Sequence, residues 1–224
     1  MEKLAFQPFD PLRATKIYYN NLPHWRQEGA TYFVTFRLAD SIPLTVQSEW
    51  EYEKRIWLEQ RHGIEMDRDG LWRRSFLELP EDAQSAFRSA FDRKRERFLD
   101  SGYGACQFRE REAADCFFEK AETFDGVRYD LGDCVVMPNH VHLLITPKNE
   151  HRLEEILRGI KGTSAFSVNC RNASKGKLWQ KDSYDHIVRD GRHLRKFQSY
   201  IHQNPKVAGI PSDKWFIRTA EYDV

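Results

Sequence analysis

Thirteen residues constrain this chain more than any others: Val135-Val136-Met137-Pro138-Asn139-His140-Val141-His142-Leu143-Leu144-Ile145-Thr146-Pro147. Two apolar runs flank Pro138-Asn139, the pattern of a tight β-hairpin. Side chains alternate along a strand, so Val141, Leu143 and Ile145 face one way, and His140 and His142 the other. Two imidazoles thus project side by side from a buried strand. Neutral imidazole is a common ligand for divalent metals. A pair of strand histidines can equally form an ordinary polar face, and the short motif alone does not decide between them.

Other stretches read as regular elements. Residues 1–29 carry Pro8, Pro11 and Pro23 and read as an irregular lead-in. Residues 30–38 are β-branched and aromatic, as in a first strand. Helical periodicity covers 46–60, 81–100, 109–123 and 150–168. In 81–100, Phe87, Phe91 and Phe98 share a face, and Arg and Lys fill the other. Tyr184 to Val188 is a short strand. Asp190 then stands as the N-cap of a helix to about Gln203. Setting aside 40–105, the order is strand, helix, strand, strand, helix, strand, helix. The first six elements match a ferredoxin-like βαββαβ antiparallel sheet, an α+β fold. Residues 40–105 become a helical insertion after the first strand, and 206–224 a C-terminal tail, all within one domain spanning 1–224.

No run is apolar enough to span a bilayer, and none reads as a signal peptide, so the cytosol is the expected location. Cys106, Cys116, Cys134 and Cys170 form no CxxC pair, which argues against a zinc ribbon. Net charge is only +1, but it is unevenly distributed. Residues 151–224 hold 14 Lys and Arg against 8 Asp and Glu; residues 1–150 hold 21 against 26. A basic C-terminal part suits a polyanionic partner, although a solvated charged surface gives the same count.

In the last helix, Leu194, Phe197 and Ile201 form the packing stripe. Tyr200 and Asn204, four apart, lie together on its edge, and His202 and Gln203 point elsewhere. Asn204 precedes Pro205, which disfavours helical conformation and sets the expected helix end. If this helix packs on the histidine-bearing face, two His, one Asn and one Tyr converge. An isolated Tyr would read as a boundary aromatic.

Met137-Pro138-Asn139-His140-Val141-His142-Leu143-Leu144, Leu178-Trp179-Gln180, Tyr184-Asp185-His186-Ile187-Val188-Arg189-Asp190 and Tyr200-Ile201-x-x-Asn204-Pro205 occur here in that order. So do Pro23-His24-Trp25 and Thr31-Tyr32-Phe33-Val34-Thr35-Phe36-Arg37. Together they resemble the REP-associated tyrosine transposases, of the single-tyrosine HUH transposase and nuclease superfamily, across roughly residues 23–210. The resemblance implies a metal-dependent endonuclease and strand transferase acting on single-stranded or hairpin DNA at repeat sequences. It implies Tyr200 as nucleophile, forming a 5′-phosphotyrosine, and His140, His142 and Asn204 as ligands of Mg²⁺ or Mn²⁺. It further implies a cytoplasmic, nucleoid-associated protein without a membrane partner, and admits a homodimer. The 40–105 segment is longer than in compact superfamily members.

A phenol near pKa 10 is a weak nucleophile and needs activation. Two imidazoles and an amide leave open positions for phosphate oxygens, as Mg²⁺ prefers. Lys161, Arg189, Arg192, Arg195, Lys196 and Lys206 are candidate phosphate contacts. Trp179 has two readings, a stacking platform for an unpaired base or a core residue, the latter closer to how aromatics are usually buried. Tyr184, on a strand with no amide one turn away, is the rival nucleophile. Two other classes stand beside this one: a domesticated single-stranded nucleic-acid binder without catalysis, and an unrelated His-x-His metalloprotein such as a cupin-like oxygenase. The long helices oppose the second.

Overall fold

The computed structural model describes residues 3–19, 23–67 and 72–223. Residues 1–2 and 20–22 of the expected lead-in, and 68–71 of the expected insertion, lie outside the described residues. In chain order the strands and helices are β1 (Leu4–Ala5), β2 (Lys16–Tyr19), β3 (Pro23–Arg26), β4 (Tyr32–Arg37), α1 (Leu44–His62), α2 (Trp72–Leu77), α3 (Glu81–Asp100), α4 (Arg111–Glu122), β5 (Tyr129–Met137), β6 (His140–Pro147), α5 (Leu153–Arg171), β7 (Tyr184–Ile187), α6 (Gly191–Val207), β8 (Phe216–Arg218) and β9 (Tyr222–Asp223).

The main sheet has the order β7-β4-β6-β5-β8, with every pair antiparallel. Its first four strands, with α4 and α5, form the βαββαβ unit expected from the motif order. The tail supplies more than a terminus, because β8 extends the sheet beyond β5. The lead-in corrects the irregular reading: β2 pairs with β3, and β1 pairs in parallel with β9. Such short strands are held by backbone pairing, which leaves little side-chain periodicity to read.

The alternation in β6 divides the molecule into two layers. Val141, Leu143 and Ile145 join Val34, Phe36, Phe117 and Ile160 in the larger core, against α4 and α5. Burying a side chain of this size contributes roughly 1.5–3 kcal/mol. The opposite face gathers Phe33, Val135, Met137, Leu144, Leu194 and Ile201 beneath α6. The insertion has a third cluster of its own, with Leu58, Trp72, Phe76 and Phe87. Trp179 is core: it is buried, stacks on Phe108 and donates its indole N–H to Ser164 Oγ at 3.0 Å. This placement corrects its reading as an accessible stacking platform, because the ring's polar atom and faces are already used inside the protein.

Helix α6 starts as its sequence indicates, with Asp190 Oδ1 accepting from His193 N at 2.7 Å. It does not stop at Asn204, however, and continues through Pro205 to Val207. A proline in the final turn forfeits one backbone bond, while Ala208 N still donates to Asn204 O at 2.9 Å. Both Asn204 and Pro205 are buried, so packing overrides the local preference.

One irregularity fixes this helix to the sheet. Leu131 pairs with Ile145 and Cys134 with Leu143, so β5 holds one extra residue between them, a β-bulge. The bulge frees the buried Asp133 carboxylate to meet α6. Gln198 Nε2 donates to Asp133 Oδ2 at 3.0 Å, and His202 Nε2 lies 2.6 Å from Oδ1. His202, expected to point elsewhere, is thus an anchor. Asp133→Asn puts an N–H against one of these donors. It should cost about 1–3 kcal/mol in urea unfolding, and unchanged stability would count against Asp133 as the anchor of α6.

Candidate functional site

The register of β4 against β6 builds the site. Thr35 lies opposite His142, and Arg37 opposite His140, so all four side chains share the α6 face. Both histidines are fully buried. His142 Nδ1 shares a hydrogen bond with Thr35 Oγ1 at 2.7 Å. His140 Nδ1 lies 2.7 Å from Asn139 Oδ1, and Asn139 Nδ2 donates to Tyr103 O at 2.9 Å. The amide oxygen therefore accepts from His140 Nδ1–H, which leaves Nε2 as a free lone pair. Fixing one ring nitrogen to orient the other is how ligand histidines are held.

Helix α3 closes the site from the insertion. Asp92, Glu96 and Asp100 stand at i, i+4 and i+8 on one of its faces. Glu96 Oε2 accepts from the Tyr200 hydroxyl at 2.5 Å and lies 3.6 Å from His142 Nε2. Its other oxygen pairs with Arg95 at 3.1 Å. Asp100 Oδ1 is 4.0 Å from His140 Nε2. The Tyr200 oxygen is itself 3.5 Å from His142 Nε2. Glu96, His140 and His142 offer ligand atoms all within 4.8 Å of one another.

The electrostatics suit a cation. Burial drives His142 down to about 4 and His140 well below the ordinary value, so both imidazoles are neutral at pH 7. Burial opposes charge on Glu96, but attraction from the histidines and Arg95 and the Tyr200 hydrogen bond outweigh it and hold the carboxylate near 2. Burial and the neighbouring Glu96 raise Asp100 to about 6. Burial and Glu96 push the Tyr200 phenol well upward, keeping it a neutral donor. Among the described residues, the buried polar atoms without a hydrogen-bond partner include His140 Nε2, Asp100 Oδ1, Asn204 Oδ1 and Arg95 Nε. A divalent ion fits the Glu96, His140 and His142 cluster, since a carboxylate and neutral imidazoles converge there and the His140 Nε2 lone pair and the nearby Asp100 Oδ1 are left without partners.

Of the residues expected from sequence, His140, His142 and Tyr200 come together. Asn204 is buried one turn beyond Tyr200 with its carbonyl oxygen unpartnered. Tyr184 is engaged elsewhere, donating to Asp92 Oδ2 at 3.0 Å beneath the Arg95 guanidinium. Arg192, Arg195, Lys196 and Lys206 are exposed on α6. Lys161 donates to Lys181 O and Ser183 Oγ, and Arg189 lies 3.5 Å from Glu81. Sequence reasoning missed Glu96 and Asp100. Their signal was the four-residue carboxylate spacing in a helix read only for its phenylalanines and its cations.

Residues 110–204 match the family model described as Transposase IS200 like. That segment runs into α6 and contains both histidines, Tyr200 and Asn204, but not the insertion. The chain is similar to the REP-associated tyrosine transposases, as its motifs imply. A Haemophilus influenzae protein named as a REP-associated tyrosine transposase is 28% identical over 80 residues, 31% of this chain and 46% of that relative. The match thus spans just under half of the relative's length. A solved REP-associated tyrosine transposase bound to a REP hairpin covers 85% of this chain and 75% of its own, at 13% identity and TM-score 0.44. A Deinococcus radiodurans R1 protein described as a transposase covers 78% and 89%, at 14% identity and TM-score 0.36. No described helix is long and apolar enough to cross a membrane.

The raised Asp100 gives a pH signature for the metal-free protein. Its folded pKa, about 6, exceeds the ordinary 3.8, so the folded state holds the proton more tightly. Stability is lost as pH rises from about 4 to 6. Asp100→Asn mimics the protonated form. It should therefore gain on the order of 2 kcal/mol over wild type at pH 7 and almost nothing at pH 4, measured by urea unfolding in EDTA. An equal difference at both pH values would refute the assignment.

Proposed function

We propose that this protein is a metal-dependent single-strand DNA endonuclease and strand transferase that works through a covalent link to Tyr200. The observation that carries the reading is the Tyr200 hydroxyl, placed between the ionised Glu96 and the inward-facing nitrogen of His142. The family match over residues 110–204 and the REP-associated relative support a transposase role. That relative's name also motivates REP-type repeat DNA as the substrate.

In this reading His140, His142 and Glu96, with the unpartnered Asn204 oxygen, hold Mg²⁺ or Mn²⁺. When bound, such an ion polarises the scissile phosphate and offsets charge developing on its oxygens. Tyr200 Oη attacks phosphorus, forming the P–O(tyrosyl) bond as the P–O3′ bond breaks. The 3′ oxygen leaves with its electron pair and takes up a proton from water, giving a free 3′-OH. Glu96 Oε2 accepts the phenolic hydrogen bond and so orients Tyr200 Oη, and the phenolic proton is lost to water as the P–O(tyrosyl) bond forms. The link retained on the 5′ phosphate conserves a bond for rejoining. The cations Arg192, Arg195, Lys196 and Lys206, exposed on the helix that carries Tyr200, offer phosphate contacts.

Tyr200→Phe should keep fold and strand binding but form no covalent adduct with a single-stranded or hairpin oligonucleotide. His140→Ala and His142→Ala should each abolish the adduct. Mass spectrometry of the digested wild-type adduct should place the nucleotide on Tyr200. A nucleotide on Tyr184, or an active Tyr200→Phe protein, would overturn the mechanism. A wild type that binds strands without forming an adduct would instead mark a binder without catalysis. Binding should weaken with salt, with a log–log slope of about −0.7 per neutralised phosphate. Arg192→Glu should flatten that slope, and a salt-independent affinity would remove the electrostatic contribution.

A further inference from the structure

Beside the metal-binding cluster lies a cavity of about 590 Å³, walled by the insertion on one side and the β4–β7 edge on the other. It falls within the range of about 300–1,000 Å³ typical of small-molecule sites. It shares a wall with the candidate active site: Thr35 lines it and also fixes His142, and Arg95, next to Glu96, lines it as well.

Among the described residues two of its cations make no ion pair, Arg37 and Arg88, although Asp92 and Glu81 attract Arg88 from a distance. Arg37 projects from β4 on the histidines' face, and its guanidinium contacts only Ser41 Oγ, at 3.3 Å, among the described residues. Burial, aided by repulsion from Arg95, lowers its pKa to about 10. Arg88 bonds to the neutral amide of Gln84, and its Nε is buried without a partner. Cations sheltered from water are ordinarily paired, because an unpaired one costs stability. Of the cavity's three carboxylates, Asp185 is held by Arg26 in a two-pronged pair, Glu51 bonds to Lys54, and Asp182 is engaged as well. The same lining carries aromatic and amide side chains, Trp50, Tyr184 and Gln180. A planar ring with an attached phosphate meets all of these demands: stacking for the base, guanidinium forks for the anion.

We propose that this cavity binds one unpaired nucleotide of the DNA strand, its phosphate held by Arg37 and Arg88 and its base against Trp50. Resting on the strand-cleaving reading above, the pocket holds a nucleotide flanking the phosphate presented to Tyr200, and the insertion thereby contributes to sequence selection.

The test uses the full chain carrying Tyr200→Phe, in EDTA, so that no cleavage step enters. The four deoxynucleoside 5′-monophosphates and inorganic phosphate are titrated calorimetrically. At least one nucleotide should bind one-to-one, at least tenfold tighter than inorganic phosphate. Arg37→Gln and Arg88→Gln should each weaken it about tenfold or more, the loss of a charge-assisted contact. Arg37→Gln should also raise the thermal midpoint of the free protein by about 2–4 °C, since it removes an uncompensated charge. Trp50→Ala should remove the preference for nucleotide over phosphate. Equal binding of phosphate and nucleotides would overturn the base pocket, and undiminished affinity in Arg37→Gln would overturn the whole proposal. If nucleotides bind but the wild type forms no adduct, the cleavage reading fails and the pocket stands. An adduct without nucleotide binding gives the reverse.

Discussion

The register of β4 against β6 underlies everything at this site. Because Thr35 faces His142 and Arg37 faces His140, one strand pair places an orienting hydroxyl, two imidazoles and an uncompensated guanidinium on a single surface. A slip of one residue would turn both histidines into the core formed with α4 and α5, among Val34 and Phe117. The apolar residues of β6 hold that register, since Val141, Leu143 and Ile145 are all fully buried on the opposite side. The hydrophobic pattern and the chemistry are therefore one constraint.

The two tyrosines are held apart by α3. Its carboxylates at four-residue intervals each take a different partner: Asp92 holds Tyr184, Glu96 holds Tyr200, and Asp100 stands near His140. The two phenols are thereby sorted by neighbourhood. Tyr200 faces the imidazoles, while Tyr184 is capped by Arg95 and lines the adjoining cavity. Arg95 bridges the two acidic neighbours, at 3.3 Å from Asp92 and 3.1 Å from Glu96, so the row stays charged without collapsing.

Much of this was legible in the chain. Helix 81–100, the hairpin and the Asp190 cap have strong local signals, in periodicity, turn chemistry and side-chain type. Strand alternation and helix pitch put His140 and His142 on one face and Tyr200 on the edge of its helix's packing stripe, but their meeting depended on that helix docking against the histidine-bearing face, which neither pattern specifies. Glu96 was not legible, because carboxylates on a charged helix look like a solvated face until the helix is docked. Asp133 was hidden for another reason. Its role depends on a bulge, and an extra residue in one strand leaves no mark in a sequence that alternates imperfectly anyway. The end of α6 was misjudged because a local preference at Asn204-Pro205 yields to burial of both residues.

The insertion has a hydrophobic cluster of its own, separate from the two that line the sheet. Regions with separate cores can open as separate cooperative units. Partial opening of α1 to α3 would leave the βαββαβ sheet intact, yet it would withdraw Glu96 and Asp100 from the histidines and remove one wall of the cavity in the same event. Assembly of the site would then be set by a sub-global equilibrium, and any ligand that bridges α3 and β6 would work as a clasp, shifting that equilibrium toward closure by its own binding free energy.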